Sequence, residues 1–356
     1  MNGVVLTPSP LAPRAELVKD GIPQACIVAN DADLEVLMAG VRRHAAETFS
    51  AGLDFLAVHA PFGGDAFSGP VRIDDNVVSL LAGLSSEAPA HVPATLAAIR
   101  AARKTFPETP AILVSETAFF ATLPRRERAY GLDADLMQQL RLRRTGYHGI
   151  FHEAAYRHAR RALRSPRRGG PVRVLSICLE PKPEIAAVAN GRPMTVTGGS
   201  TPLEGLPGET SCGDIDASLA LTFLEKAGLG PQQIGHVLAR ESGLRGLTGR
   251  TATFPEILRS EAPECAAARE IFQYRLLLAC GAGLAALSGV DGIVFSGRYA
   301  ELADDVAPPL VGQLHRAMRN AGPPPKWIVF GECLQKLIAD QAASALRAEH
   351  DLIPVV

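Results

Sequence analysis

No CxxC pair and no zinc-ligand spacing occurs among the six cysteines, which lie scattered through 356 residues. That excludes a disulfide framework and a structural zinc site as organising devices, and it fits reduced thiols in a cytoplasmic protein. Nor is there charge of one sign to spare: 36 basic and 37 acidic side chains leave the chain close to neutral. Without a cationic excess there is no global electrostatic case for a nucleic-acid or anionic-membrane partner, even with the arginine-rich stretch 141–168. The N-terminus carries no basic segment followed by an apolar core, so no secretory leader is expected. Long apolar runs are missing too. The longest uncharged stretch, 276–290, is broken by three glycines and falls short of the ~20 residues that span a bilayer. It is expected to be a buried helix whose small residues let a neighbour approach closely.

What is present is enough apolar material for more than one core. A hydrophobic fraction of 47% over this length suggests two domains, each with its own interior. Val4-Val5-Leu6 reads as a short strand, closed by Pro8, Pro10 and Pro13, which remove backbone donors. Positions 33–50 place Leu34, Leu37, Val41 and Phe49 on one helical stripe, and 53–59 reads as a strand. A helix over 93–105 precedes a strand over 111–115. Glu116 follows at that strand's C-terminal end, where active groups on parallel sheets collect. The Pro/Gly-rich stretch 165–170 reads as a connector, after which 172–177 restarts a strand. Strands alternating with helices give an α/β chain of two domains.

The most informative stretch is 198–216, GGSTPLEGLPGETSCGDID. Two glycine-rich turns precede Cys212-Gly213-Asp214-Ile215-Asp216, whose acids stand where a helix over 219–224 would begin. The bland reading is that Asp214 and Asp216 cap that helix, accepting its unpaired amide protons. A second glycine-flanked turn, Gly146-Tyr147-His148-Gly149, follows Arg141, Arg143 and Arg144. There the backbone can approach a ligand and an imidazole can donate to an oxyanion, unless the turn is only a capped helix start.

Taken together these motifs resemble the acetokinase family. TPLEGL followed by CGDID is similar to its central signature, Arg143-Arg144-Thr145-Gly146-Tyr147-His148-Gly149 to its RRYGFHG, and Glu116-Thr117-Ala118-Phe119 to its DTAFH. Downstream, Glu241 onward is similar to ESGLLGISG and the stretch from Tyr274 to Phe295 to its YRI…GVDAIVF segment. The resemblance is collinear over nearly the whole chain. It implies an α/β fold of two lobes, a duplicated ribonuclease-H-like clamshell of the actin-like ATPase kind. One lobe would take 1–144 plus about 333–356, the other, with the nucleotide-side loops and a dimer surface, 145–332.

The resemblance also implies ATP-dependent phosphorylation of acetate or another short carboxylate to an acyl phosphate, with Mg²⁺ and in a homodimer. Carried over position by position, it makes His148 and Glu116 catalytic and puts His59, Ala60 and Ser211 on the substrate side. Gly198, Gly199, Asp214, Gly297 and Arg298 fall on the nucleotide, and Thr7 and Glu332 on the metal. Several of these depart from the family pattern. Ala60 and Ser211 stand where it has arginines, Thr7 where it has asparagine, and Arg14 where it has lysine. The phosphate loop HLGNGAS appears as Cys178-Leu179-Glu180-Pro181-Lys182-Pro183-Glu184, in which prolines lack amide protons and two acids repel phosphate unless Lys182 or a metal compensates. The expectation is therefore an impaired or altered carboxylate kinase, with a degenerate, non-catalytic ligand- or partner-binding protein as the alternative.

Overall fold

The computed structural model describes residues 1–9, 12–29, 33–163, 170–249, 253–319 and 323–351. Most of the connector read over 165–170, and Pro10 of the early proline run, lie outside them. The chain divides into two compact units. The first takes Met1–Thr122, Gln138–Arg141 and the segment from Glu332 onward, and the second takes Leu123–Met137 and Leu142–Gly331.

Each unit is built on a sheet of the same design. In the first, β1 (Asn2–Thr7), β2 (Arg14–Lys19), β3 (Ile22–Val28), β4 (Phe55–Ala60), β5 (Val71–Arg72) and β6 (Ala111–Ser115) lie in the order β3-β2-β1-β4-β6-β5. The second carries β7 (Arg173–Cys178), β8 (Glu184–Ala189), β9 (Arg192–Val196), β10 (Gly292–Ser296) and β11 (Lys326–Val329) in the order β11-β10-β7-β8-β9. In both, an antiparallel three-strand meander leads by a crossover into strands parallel to its first member. Parallel pairing demands a long connection, usually helical, and that is why the helices of each unit fall between these strands. The duplicated ribonuclease-H-like topology is thus visible in strand order and direction alone.

The parallel strands β4, β6, β7 and β10 are buried along their whole length, as strands covered on both faces must be. Helix Leu34–Thr48 starts where Asp33 accepts the amides of Glu35 and Val36, and it buries Leu37 and Val41 as its periodicity requires. The expected buried helix over 276–290 is the end of a longer one, Pro263–Leu287, of which one stripe is buried: Cys265, Ala268, Phe272, Leu276, Cys280, Gly283 and Leu287. A Cβ at Gly283 would stand 2.6 Å from Leu175 Cδ2, so glycine sets how closely the helix lies on β7. Its other face leaves Ile271, Tyr274 and Leu278 exposed. By length and hydropathy this helix alone among the described residues could cross a membrane, but its buried stripe packs into the second unit's core with Phe254 and Phe272 edge to face at 4.7 Å.

Candidate active site

In the first unit the site residues gather at the C-terminal ends of parallel strands. His59 and Ala60 close β4 opposite Val114 and Ser115 of β6, and Glu116 opens the 3₁₀ turn Glu116–Thr122. His59 Nε2 lies 3.1 Å from Glu116 Oε1, with both side chains buried. Nδ1 of the same imidazole is buried with no hydrogen-bond partner. Thr117 Oγ1 accepts the Gly63 amide at 3.0 Å, and Gly63 has to be glycine because a Cβ there would sit 2.4 Å from Ser115 Oγ. Burial first, and then the charge of His59, pushes the pKa of His91 below its ordinary value.

The expected metal side is thin. Thr7 Oγ1 is buried without a partner, Arg14 pairs with Glu16 at 3.3 Å, and Glu332 is half exposed and pairs with Lys336 at 3.5 Å. Burial outweighs Arg14 at Glu16, whose carboxyl is pushed up. Among the described residues no group of three or more His, Cys, Asp or Glu side chains is placed to hold a metal ion. A hard cation takes about six oxygens, and one hydroxyl with one paired carboxylate supplies too few to make a resident Mg²⁺ site.

In the second unit the organising atom is a carboxylate. Glu184, first residue of β8, is buried and accepts the Tyr147 amide at 3.0 and 3.1 Å and the His148 amide at 2.9 Å. Those amides sit at the start of helix Gly149–Ala162, where N–H groups have no intrahelical partner. His152, one turn into that helix, brings Nε2 to 3.4 Å from Glu184 Oε1, and its Nδ1 lies 2.8 Å from Ser176 Oγ. Burial by itself would raise the Glu184 carboxyl. The His152 contact, the charges of His148 and His152, and the His148 amide together overcome it and hold the group below its ordinary 4.5.

His148 keeps its place beside this anion, but its ring is already engaged. Nε2 lies 3.0 Å from the Lys182 carbonyl, and because a carbonyl only accepts, Nε2 carries a proton there. Lys182 is engaged as well: its ammonium donates to the carbonyls of Leu203, at 3.3 Å, and Leu206. Burial pushes its pKa down to about 8. The cation expected to offset the loop's acids is turned toward carbonyl oxygens.

Gly198 and Gly199 serve the same internal anions. A Cβ on Gly198 would stand 2.0 Å from Glu184 Oε2, and one on Gly199 would stand 1.7 Å from Glu204 Oε2. Glu204 in turn pairs with Arg144 at 2.5 Å and accepts the Tyr130 hydroxyl. Gly297 (φ +92°) lets the 296–299 turn lie on Leu179, and Glu180 accepts the Arg298 amide at 2.7 Å, with the Arg298 guanidinium exposed nearby. Asp214 does not cap a helix. It takes the Gly205 amide at 2.7 Å, and Asp216 accepts Ser218 N–H at the start of helix Ser218–Lys226. Ser211 Oγ is buried with no partner.

As a nucleotide site this donor set does not fit. The amides of Tyr147 and His148 are filled by Glu184, Pro181 and Pro183 have none, and Lys182 is bound to carbonyls. The sequence pattern had shown acids in the 178–184 loop but not where they go. His152 stands where the family has the histidine of its Thr-Ser-His, whereas Glu204 and Tyr130 carry no local sequence signal, since only the fold brings them together beside the glycine pair.

Known proteins agree on the frame that carries these residues. The acetokinase family profile matches residues 22–317. An acetate kinase of Thermosipho africanus is 33% identical over 253 residues, 70% of this chain and 62% of that one. An acetate kinase of Clavibacter michiganensis is 34% identical over 271 residues, 71% and 68% of the two chains. The chain thus spans about three-fifths of the length of the first of these, 62%. Among solved structures, a propionate kinase from Francisella tularensis superposes with a TM-score of 0.85 at 21% identity, over 96% of this chain and 99% of that one. An acetate kinase from Porphyromonas gingivalis superposes with a TM-score of 0.82 at 22% identity, over 97% and 99%. These likenesses show the fold, and with the profile match over most of its length the chain belongs to the acetokinase family.

Proposed function

We propose that this protein is an acetate-kinase-like phosphotransferase in which ATP-dependent conversion of acetate, or another short carboxylate, to an acyl phosphate is strongly attenuated. The observation that carries the reading is the Glu184 carboxylate held on the amides of Tyr147 and His148. Phosphoryl transfer depends on positioning and on donors aimed at the charge of the migrating group. Losing one such donor costs about 10²–10³ in rate, and here a negative charge sits on the donors themselves. In this reading His148 and Glu116 act on the reacting groups, with His59 as the retained polar group on the acceptor side beside Ala60, and Ser211 in place of a cation. Gly297, Arg298 and Asp214 are what is left of the nucleotide side, and Thr7 and Glu332 would touch a substrate-borne Mg²⁺.

Acyl hydroxamate formed from acetate, propionate or butyrate with ATP and Mg²⁺ tests this. Turnover is expected at least about a thousandfold below that of an acetokinase with an intact glycine loop. In Glu184→Ser, inorganic phosphate should raise the melting midpoint, because the vacated amides take it up, while the parent protein does not respond. Full turnover by the parent protein sinks the reading. A second reading, a ligand- or partner-binding member with no transfer at all, is favoured by the placement of Lys182. It requires that ATP and Mg²⁺ yield no hydroxamate above background even at high protein concentration.

The exposed face of helix Pro263–Leu287 supports a homodimer, in keeping with the family. Ile271, Tyr274 and Leu278, 41%, 58% and 48% exposed, follow helical spacing on the side away from the core, and self-association is one way such a face leaves water. Light scattering is expected to give twice the chain mass for the parent protein and a monomer for Leu278→Glu. A parent monomer at micromolar concentration would end this part of the proposal. The neutral charge balance and six cysteines that stand outside any disulfide are in keeping with a cytoplasmic location.

A further inference from the structure

We infer that the first unit carries a binding site for a small multivalent oxyanion, a condensed phosphate or a polycarboxylate, in the groove between helices Leu34–Thr48 and Val92–Thr105. The groove measures ≈ 660 Å³, within the range of small-molecule sites. Both helices belong to the first unit, and no residue named above for phosphoryl transfer lines the groove. Arg42 and Arg43 reach it from the first helix and Arg100 and Lys104 from the second, and Glu35 is the one carboxylate among its described lining residues.

The contacts of each cation decide which charges can serve a ligand. Lys104 is neutralised by Glu35 at 3.0 Å. Arg42 donates to the Thr105 carbonyl at 2.6 Å and lies over the Phe106 ring, and since neither is an anion its charge stays uncompensated. Arg43 and Arg100 are exposed and have no hydrogen bond or ion pair among the described residues. The groove thus offers two open guanidinium forks, one from each wall, in a field that a third guanidinium strengthens. Such forks hold carboxylate or phosphate oxygens in bidentate pairs, and a ligand that meets both walls needs at least two anionic groups. The floor sets the other limit. Apart from the half-buried Leu34 it offers Met38, 2% exposed, and the methyl groups of Ala39 and Ala101. An amphipathic helix or an acyl chain would find little apolar surface to cover there, so charge has to carry the binding. Along the first helix the lining runs from Leu34 to Arg43, about 14 Å of helix axis, which accommodates a short phosphate chain.

The inference does not depend on phosphoryl transfer and stands or falls separately from it. The test is calorimetric titration of the full chain, without divalent cations, with tripolyphosphate and with citrate, and with inorganic phosphate and acetate as controls that carry a single anionic group. At least one of the two multivalent anions is expected to bind about tenfold or more tightly than phosphate, the gain from a second charge-assisted contact, and its affinity should fall as salt is raised. Tight binding of tripolyphosphate alone assigns the site to a phosphate chain, and of citrate alone to a polycarboxylate. Arg43→Gln and Arg100→Gln should each weaken the tighter ligand by about tenfold or more, while the melting midpoint stays put because neither side chain has a contact to lose. Arg103→Gln is the control for diffuse electrostatics. It removes the same charge from the same helix as Arg100→Gln, but its guanidinium pairs with Asp75 at 2.8 Å and does not line the groove, so the affinity should be unchanged. Failure of both multivalent anions to bind more tightly than phosphate, or a loss in Arg103→Gln as large as in Arg43→Gln and Arg100→Gln, overturns the site.

Discussion

Replacing Glu184 with alanine is expected to cost the second unit about 3–5 kcal/mol, the usual penalty for removing one partner of a buried charged cluster. Two amides, of Tyr147 and His148, lose their acceptor at once, and the His152 imidazole loses the carboxylate that faces it at 3.4 Å. Each buried donor left without a partner costs about 1–3 kcal/mol, and water entering the vacated space recovers part of that. Trp327, the single tryptophan, lies on β11 of the second unit and reports its urea unfolding by fluorescence. The pH dependence has a definite sign. The folded Glu184 carboxyl lies below its ordinary 4.5, so its contribution is fully present above that value and is lost as pH falls through the folded value. Glu184→Gln should therefore lose stability at neutral pH and show a flatter acid limb than the parent. A loss under about 1 kcal/mol, or an acid limb unchanged in Glu184→Gln, would mean that the carboxylate is not the anchor its contacts indicate.

That carboxylate also marks the boundary of what could be read in advance. Local pattern located the elements well: the strand expected over 111–115 is Ala111–Ser115, and the helix expected over 33–50 is Leu34–Thr48 with Asp33 as its cap. The duplication was legible too, through a signal that went unread. Asp20-Gly21 and Asn190-Gly191, all at positive φ, make the tight hairpin turns between β2 and β3 and between β8 and β9, and two residues after each aspartate or asparagine comes an x-Pro step, Ile22-Pro23 and Arg192-Pro193. Both prolines sit beside a register shift, at Leu17/Val18 and Ala187/Val188, as expected for residues that cannot donate to a ladder. The site resisted reading for a physical reason. Whether Glu184 repels a phosphate or replaces one depends on amides 36 and 37 residues earlier in the chain, and no local spacing encodes that closure. Gly198 and Gly199 show the same limit, since a glycine pair declares close approach without declaring what approaches.

Gly213→Ala is expected to cost roughly 2–5 kcal/mol, and its comparison with Gly228→Ala separates the two reasons. Both glycines have positive φ, +72° at Gly213 and +67° at Gly228, so both substitutions incur the ~1–2 kcal/mol of left-handed backbone in an L-residue. Space differs. Nothing lies within 4 Å of a Cβ added at Gly228, whereas at Gly213 it would stand 2.6 Å from the Gly205 carbonyl oxygen and 2.6 Å from Pro207 N. Those are backbone atoms and cannot rotate away, so overpacking adds about 1–3 kcal/mol. The displaced strand of loop also holds the reciprocal pair between Gly205 and Asp214, Asp214 N–H to Gly205 O at 2.8 Å and Gly205 N–H to Asp214 Oδ1 at 2.7 Å. Gly213→Ala should therefore unfold at lower urea than Gly228→Ala by the full overpacking term, and its loop should exchange amide protons faster at Gly205 and Asp214. Equal costs for the two substitutions would show that the 205–214 loop yields to a methyl group, and the tight cradle on which the placement of Lys182 depends would then be soft.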